Sequence, residues 1–396
     1  MHHLNKKNIL DYVILFPILW TFTGLFLFPD GKKIIIIFII ISIISSIYLY
    51  GVKAPINNLI TNKWLWLLGI CSLIALIARA YYGYNSNQLR AFVSIFIYLV
   101  IFPQNLVTNI NLKYLTVAGG ITSLTFMLAQ TYFYQHGRMW DINPIPYATF
   151  IASISILSFY FLLQSKSKKH IFLWSITFAT TLVPLFYSQS RGLWLALATA
   201  IFILLIKLIF TQRKALYLLI PIALVSLLAF TFGSEKIIQR VNDTKYEIQR
   251  INNGDLNTSI GLRFQMWQAA ILLAHESPLI GLGDDHRKYK QALADKGIIS
   301  QEIVHRNHYH NQYLNELIKY GIIGLMLLLL CIVIPFYYLI KNNNEYTWPG
   351  LLIIIIFVIA SLTDVPFQHG QPLTFYLLVM YITLYKITPT VGHKKI

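Results

Sequence analysis

Apolar residues run along this chain in blocks of about 20, broken by short polar punctuation. That is the length of an α-helix crossing a bilayer's ~30 Å hydrocarbon core. The blocks predict about twelve transmembrane helices, near 9–28, 34–50, 64–82, 89–107, 112–134, 146–163, 170–188, 192–210, 215–232, 318–340, 348–363 and 372–387. Between the ninth and tenth lies the one long polar segment, from Gly233 to Leu317, and every other connection is short. The expected organisation is therefore nine helices over 1–232, a helical loop domain over 233–317, and three helices with a tail over 318–396. Within the loop, Thr258 or Ser259 caps an apolar-periodic stretch with Leu262, Met266, Ala269, Ala270 and Leu273 on one side. Pro278 ends it, Gly281 and Gly283 make a turn, and a short helix opened by acids closes at Gly297.

Composition agrees with this class. Of 396 residues, 56% are hydrophobic and only 12% charged, which describes a polytopic membrane protein rather than a soluble one. The net charge of +17 therefore points to topology and to anionic lipid or phosphate, not to nucleic acid. Cys71 and Cys331 both lie inside apolar runs and imply no disulfide framework. The charged-then-apolar N-terminus resembles a signal peptide, but its long apolar run without a cleavage site reads as a retained first span. With that N-terminus cytoplasmic, the inside loops carry fifteen Lys and Arg and the short outside loops and span ends six. Both termini are then expected inside, and the long loop on the periplasmic side.

Lysine does nearly all the inside work, whereas Arg79, Arg90, Arg138 and Arg191 stand at outer span ends. A planar guanidinium grips a phosphate in two places, so the asymmetry suggests an outer-face anion. Arg240, Arg250 and Arg287 read instead as ordinary loop charges. In "YSQSRGLWLALA", Ser188 or Ser190 can cap a helix starting at Arg191, and Gly192 removes a side chain where a ligand would approach. An anion site at that helix start and a snorkelling interfacial arginine are both open readings. Arg263, near the start of the loop's first helix, reads by itself as a solvated or lipid-facing charge.

Histidines gather in "HRNHYHNQYLNELIKYGIIGL". His305, His308 and His310 with Glu302 and Glu316 suggest a zinc site, but the spacing fits no helix-face pair. Interfacial histidines without a task are a second reading. A general base is the third, with Asn311 placed to orient a sugar or the ring.

"HNQYLNELIKYGIIGL", "SPLIGLG" and "SQSRG", in order around one loop, resemble the signature of the O-antigen ligase and polymerase superfamily. The resemblance covers roughly residues 180 to 330. It implies a C-type glycosyltransferase-like membrane fold and metal-independent, cofactor-free transfer from an undecaprenyl-diphosphate-linked glycan. It further implies that Arg191 and Arg263 hold the diphosphate and that His310 is the essential histidine, with Asn311, Gly192, Gly281 and Gly283 in support. His308, two residues ahead, competes for that role, and His305 and His308 are expected in looser chain.

The chemistry agrees: a diphosphate leaving group needs charge neutralisation more than a proton donor, leaving one base to activate an acceptor hydroxyl. Within the resembled superfamily a single dominant outer loop favours the ligase, which the resemblance implies joins glycan to a lipid A–core acceptor at a Gram-negative inner membrane, and one base suits an inverting attack. A polymerase using the same donor is the alternative. A flippase or other transporter fits less well, since the spans are nearly free of midplane charge apart from Arg79, Lys207 and Asp364 near span ends.

Overall fold

The computed structural model describes residues 6–133, 140–211 and 219–387. Among them there are no strands, and sixteen α-helices follow one another. The first seven are α1 (Lys6–Phe22), α2 (Gly24–Leu27), α3 (Gly31–Tyr50), α4 (Lys53–Thr61), α5 (Lys63–Tyr81), α6 (Ser86–Ile101) and α7 (Leu112–Leu128). Then come α8 (Pro144–Leu163), α9 (Lys168–Tyr187), α10 (Arg191–Thr211), α11 (Leu219–Asn252), α12 (Ser259–Leu273) and α13 (His286–Asp295). The last three are α14 (Gln312–Asn342), α15 (Thr347–Ala360) and α16 (Gly370–Ile387).

The protein is an all-α polytopic membrane protein. Eight of the described helices are long and apolar enough to cross a bilayer, and α6 and α15 are shorter apolar helices. Each of the twelve expected spans falls on a helix, though residues 215–218 of the ninth lie outside the described residues, as do Arg138 and Arg213. α8 is the central pillar. It carries no charge, Asn143 caps its first turn by accepting from the Ile145 amide, and almost every side chain is buried. α7, α9, α10, α15 and α16 pack around it. Gly119 and Gly120 bring α7 against Ile154 of α8 and Thr177 of α9, close approaches a larger residue would block.

The expected domain boundary at Gly233 lies inside a helix: α11 runs unbroken from Leu219 to Asn252, and Gly233 seats it against Phe186 of α9. A second difference concerns α14, which breaks at Gly321 (φ 65°). The break frees backbone groups that the turn 278–283 satisfies. The Leu282 amide donates to the Ile318 carbonyl (2.8 Å), and the Ile322 and Ile323 amides donate to Pro278 (2.8 Å) and Leu279 (3.3 Å). Gly281 (φ 78°) lies against the backbone of 319–321, and Gly283 (φ 52°) against that of Tyr82. The "SPLIGLG" glycines thus serve a backbone-to-backbone joint.

Candidate functional site

The start of α14 is fixed by its neighbours. Asn311 caps it, its side chain accepting from the Leu314 amide (3.1 Å) and donating to the Leu362 carbonyl (3.4 Å). The Gln312 amide donates to the Ser361 carbonyl (2.8 Å), and the buried Gln312 side chain accepts from the Phe367 amide (2.9 Å). These bonds tie α14 to the connection between α15 and α16, which carries Asp364. His310 Nδ1 consequently lies 3.3 Å from Asp364 Oδ1, and His308 Nε2 lies 3.9 Å from the same oxygen. The two imidazole centroids are 4.3 Å apart, with His369 6.1 Å from His308. Neither His310 Nδ1 nor either Asp364 oxygen has an aligned hydrogen bond among the described residues, although all three atoms are buried. His310 also adopts a left-handed backbone (φ 46°), a conformation unusual for a residue with a side chain.

Asn311 is therefore the helix cap, and its bonds are to backbone rather than to the ring of His310. His308 sits inside the cluster, against the expectation of looser chain, whereas His305 is exposed. The loop behind them is held by buried donors. Lys290 Nζ donates to the carbonyls of Ile303 (2.9 Å) and Arg306 (2.6 Å), and Lys319 Nζ to that of Asn307 (3.4 Å). Trp267 Nε1 donates to the Tyr309 carbonyl (3.1 Å).

Burial alone would raise the Asp364 carboxyl, but the imidazoles of His310, His369 and His308 hold it below the ordinary carboxylate range. Burial, with His310 beside it, lowers His308 to about 3 despite the attraction of Asp364. His308 is thus neutral at physiological pH.

Adjoining this cluster through Asp364 is an open cationic cleft, lined by Gln189, Ser190, Arg191, Arg240, Arg263 and Asp364 among others. Arg191, first residue of α10, donates to Thr244 Oγ1 (2.7 Å) and Glu247 Oε1 (3.3 Å). Glu247 also accepts from the Ile260 amide (2.9 Å) and lies 4.0 Å from Arg240. One carboxylate thereby joins α10, α11 and the beginning of α12. Arg263, by contrast, makes no side-chain hydrogen bond or ion pair among the described residues. Burial lowers its pKa; Asp364 opposes this, and Arg191 and Arg240 add repulsion. A half-buried guanidinium without a side-chain partner among the described residues, beside two others, has the chemistry to receive an anion.

The structure thus joins Arg191, Arg263 and His310 in one place, on three elements. It also corrects several expectations. Arg240, read as a loop charge, lines the cleft. Gly192 lines the cleft as well and also makes room for Thr363, drawing α10 onto the Asp364 turn. The Ser188 hydroxyl donates back to the Leu185 carbonyl of α9 and that of Ser190 to the Ser188 carbonyl, so neither hydroxyl bond reaches into α10. Gln189 between them has a left-handed backbone (φ 51°). Arg79 and Arg90 are bonded to their own segment, at Tyr84 and at Ser86 and Asn87, and do not line the cleft. Arg250 and Arg287 pair locally with Asp255 and Asn307, as loop charges do.

The sequence pattern marked Asp364 only as a charge near a span end and did not single out His369 or Glu247. The available signal was "TDVPFQHG", an acid and a histidine in a short connection between apolar helices. Asp364 also gives the histidines a third donor: His308, His310 and Asp364 bring ligand atoms within 4.8 Å of one another, an arrangement able to hold a metal ion. This carboxylate lies outside the histidine segment, whose own spacing speaks against a metal.

Residues 176–329, which hold both arginines and both histidines, match the family described as O-antigen ligase. That match supports membership of the O-antigen ligase and polymerase superfamily. An uncharacterized protein of Haemophilus influenzae is 27% identical over 191 residues, covering 46% of this chain and 47% of that protein. The chain spans about half the length of that curated relative. The likeness to the O-antigen ligase family points to O-antigen ligase- or polymerase-type function in general. The matched interval ends before Asp364 and His369, so these two enter the site through the fold alone.

Proposed function

We propose that the protein is a ligase that moves O-antigen glycan from undecaprenyl diphosphate to a sugar hydroxyl of lipid A–core. The reaction takes place on the periplasmic face of the inner membrane. The observation that carries this reading is Arg263, without a side-chain partner among the described residues, set with Arg191 and Arg240 in a cleft lined by Asp364, the carboxylate that His310 faces. The guanidinium groups hold the diphosphate and absorb charge as it leaves. The acceptor oxygen attacks the anomeric carbon, the bond from that carbon to the diphosphate oxygen breaks, and the hydroxyl proton passes to His310. Asp364, against Nδ1, orients the ring and stabilises the imidazolium that forms. Attack opposite the leaving diphosphate inverts the anomeric centre.

The deciding experiment is the lipopolysaccharide profile of a strain lacking the gene. A ligase leaves bare core and accumulates lipid-linked polymer. Cores capped by one repeat instead identify a polymerase, and an unchanged profile rejects both.

A further inference from the structure

Two helices of the segment expected to be periplasmic present opposite surfaces. α13 turns Arg287, Lys288, Asp295 and neighbours outward, as a water-facing helix does. α12, in "SIGLRFQMWQAAILL", is apolar almost all round. It buries Leu262, Met266, Ala269, Ala270 and Leu273, yet leaves Phe264, Ile271 and Leu272 exposed on its other face, where Gln268 is the polar exception. The turn after it continues the patch: Leu279 is 66% exposed and Ile271 64%, with Ile280 beside Leu279. A helix apolar on every side has its second face covered by something other than water.

The neighbouring surface indicates what covers it. Through the Pro278–Ile322 and Leu279–Ile323 backbone bonds, the turn is joined to α14 at the point where Ile322, Ile323 and Met326 face outward from the bundle. α14 is one of the bilayer-crossing helices, so those residues belong to its lipid-facing side. The patch on α12 is an extension of that belt.

We propose that α12 and the turn 277–281 form an interfacial anchor whose Phe264, Ile271, Leu272, Leu279 and Ile280 lie among the acyl chains of the leaflet on the cleft's side. The remaining charge of α12, Arg263, turns away from this face into the cleft. Anchoring α12 in the leaflet fixes the depth of Arg263 at the level of lipid phosphates. Only that consequence rests on the donor reading above; the anchor itself does not depend on it.

Spin labels at Ile271→Cys, Leu279→Cys and Lys288→Cys, in protein reconstituted into phosphatidylethanolamine/phosphatidylglycerol nanodiscs, test the anchor. Cys71 and Cys331 are buried, and an unmutated sample measures their background. Labels at 271 and 279 are expected to collide with dissolved oxygen several-fold more than with an aqueous nickel chelate, with the order reversed at 288. The same order at 271 and 279 as at 288 overturns the proposal in favour of water. Protection from both reagents overturns it in favour of a protein occupant, such as a second copy. These accessibilities are read without transfer, so a failed donor site and a failed anchor give different results.

Discussion

Glu247 accepts from Arg191 at 3.3 Å and so holds the first residue of α10 against α11, inside the cleft that receives the donor in the proposed reaction. The same carboxylate takes the Ile260 amide at the start of α12. Its removal leaves two neighbouring arginines without their shared counter-charge. Glu247→Ala is expected to lower stability by roughly 2–3 kcal/mol, below the usual loss for a fully buried pair because solvent still reaches this one. A thermal melt of detergent-solubilised protein checks this; an unchanged melting temperature contradicts it.

Arg191 and Arg263 are expected to separate by function. Arg263 has no side-chain partner among the described residues, so Arg263→Lys should weaken donor binding about tenfold or more while leaving the melting temperature unchanged. Arg191→Lys should lower both, because Arg191 also carries the Thr244 and Glu247 bonds. Measuring KM for lipid-linked donor and melting temperature on both variants decides the matter.

His310→Ala is expected to remove roughly 10²- to 10⁴-fold of the transfer rate, with donor binding retained. His308→Gln should be milder. Transfer by wild type should survive a chelator; arrest by the chelator, restored by a divalent cation, would instead make His308, His310 and Asp364 metal ligands.

His308 also predicts a pH dependence of stability. Its folded pKa of about 3 lies below the ordinary ~6.5, so between these values the unfolded chain binds a proton that the folded one refuses. Stability should therefore fall as pH drops through that window, by up to ~1.4 kcal/mol per unit. Asp364, also depressed, adds a further loss below about 3.9, the ordinary carboxylate value. His308→Gln should flatten melting temperature against pH between 6.5 and 4, and an unchanged slope would rule out the assignment.

Lys290 should matter through the loop it holds. Lys290→Met deletes the donors to Ile303 and Arg306 and is expected to lower kcat more than it raises KM, with partial rescue in Lys290→Arg. Equal loss of kcat in both variants with collapsed melting temperature would mean a general packing role.

Hydropathy made the helices legible, because length and apolar content are properties of contiguous residues. Arg191 and His310 were legible for a related reason, each lying in a short motif, whereas Arg263 by itself read as a solvated or lipid-facing charge and stood out only through the family resemblance. Asp364 was not legible: 54 positions separate it from His310, and only the bonds from Gln312 to Ser361 and Phe367 bring them together. Arg240 was misread because its helix was taken for a polar loop, whereas α11 carries the hydrophobic ninth span onward as one rod. The break at Gly321 lies in "KYGIIGL", where nothing in the local pattern distinguishes a tolerated glycine from a required one.

That break has a consequence for building chimeras. Since α14 borrows the backbone partners at 278–283 that it lost at Gly321, the loop and the helix after it are two halves of one folding unit. Exchanging 233–317 between relatives at the apparent span boundary would cut this joint, whereas a graft carried through Gly324 would bring its own partners with it.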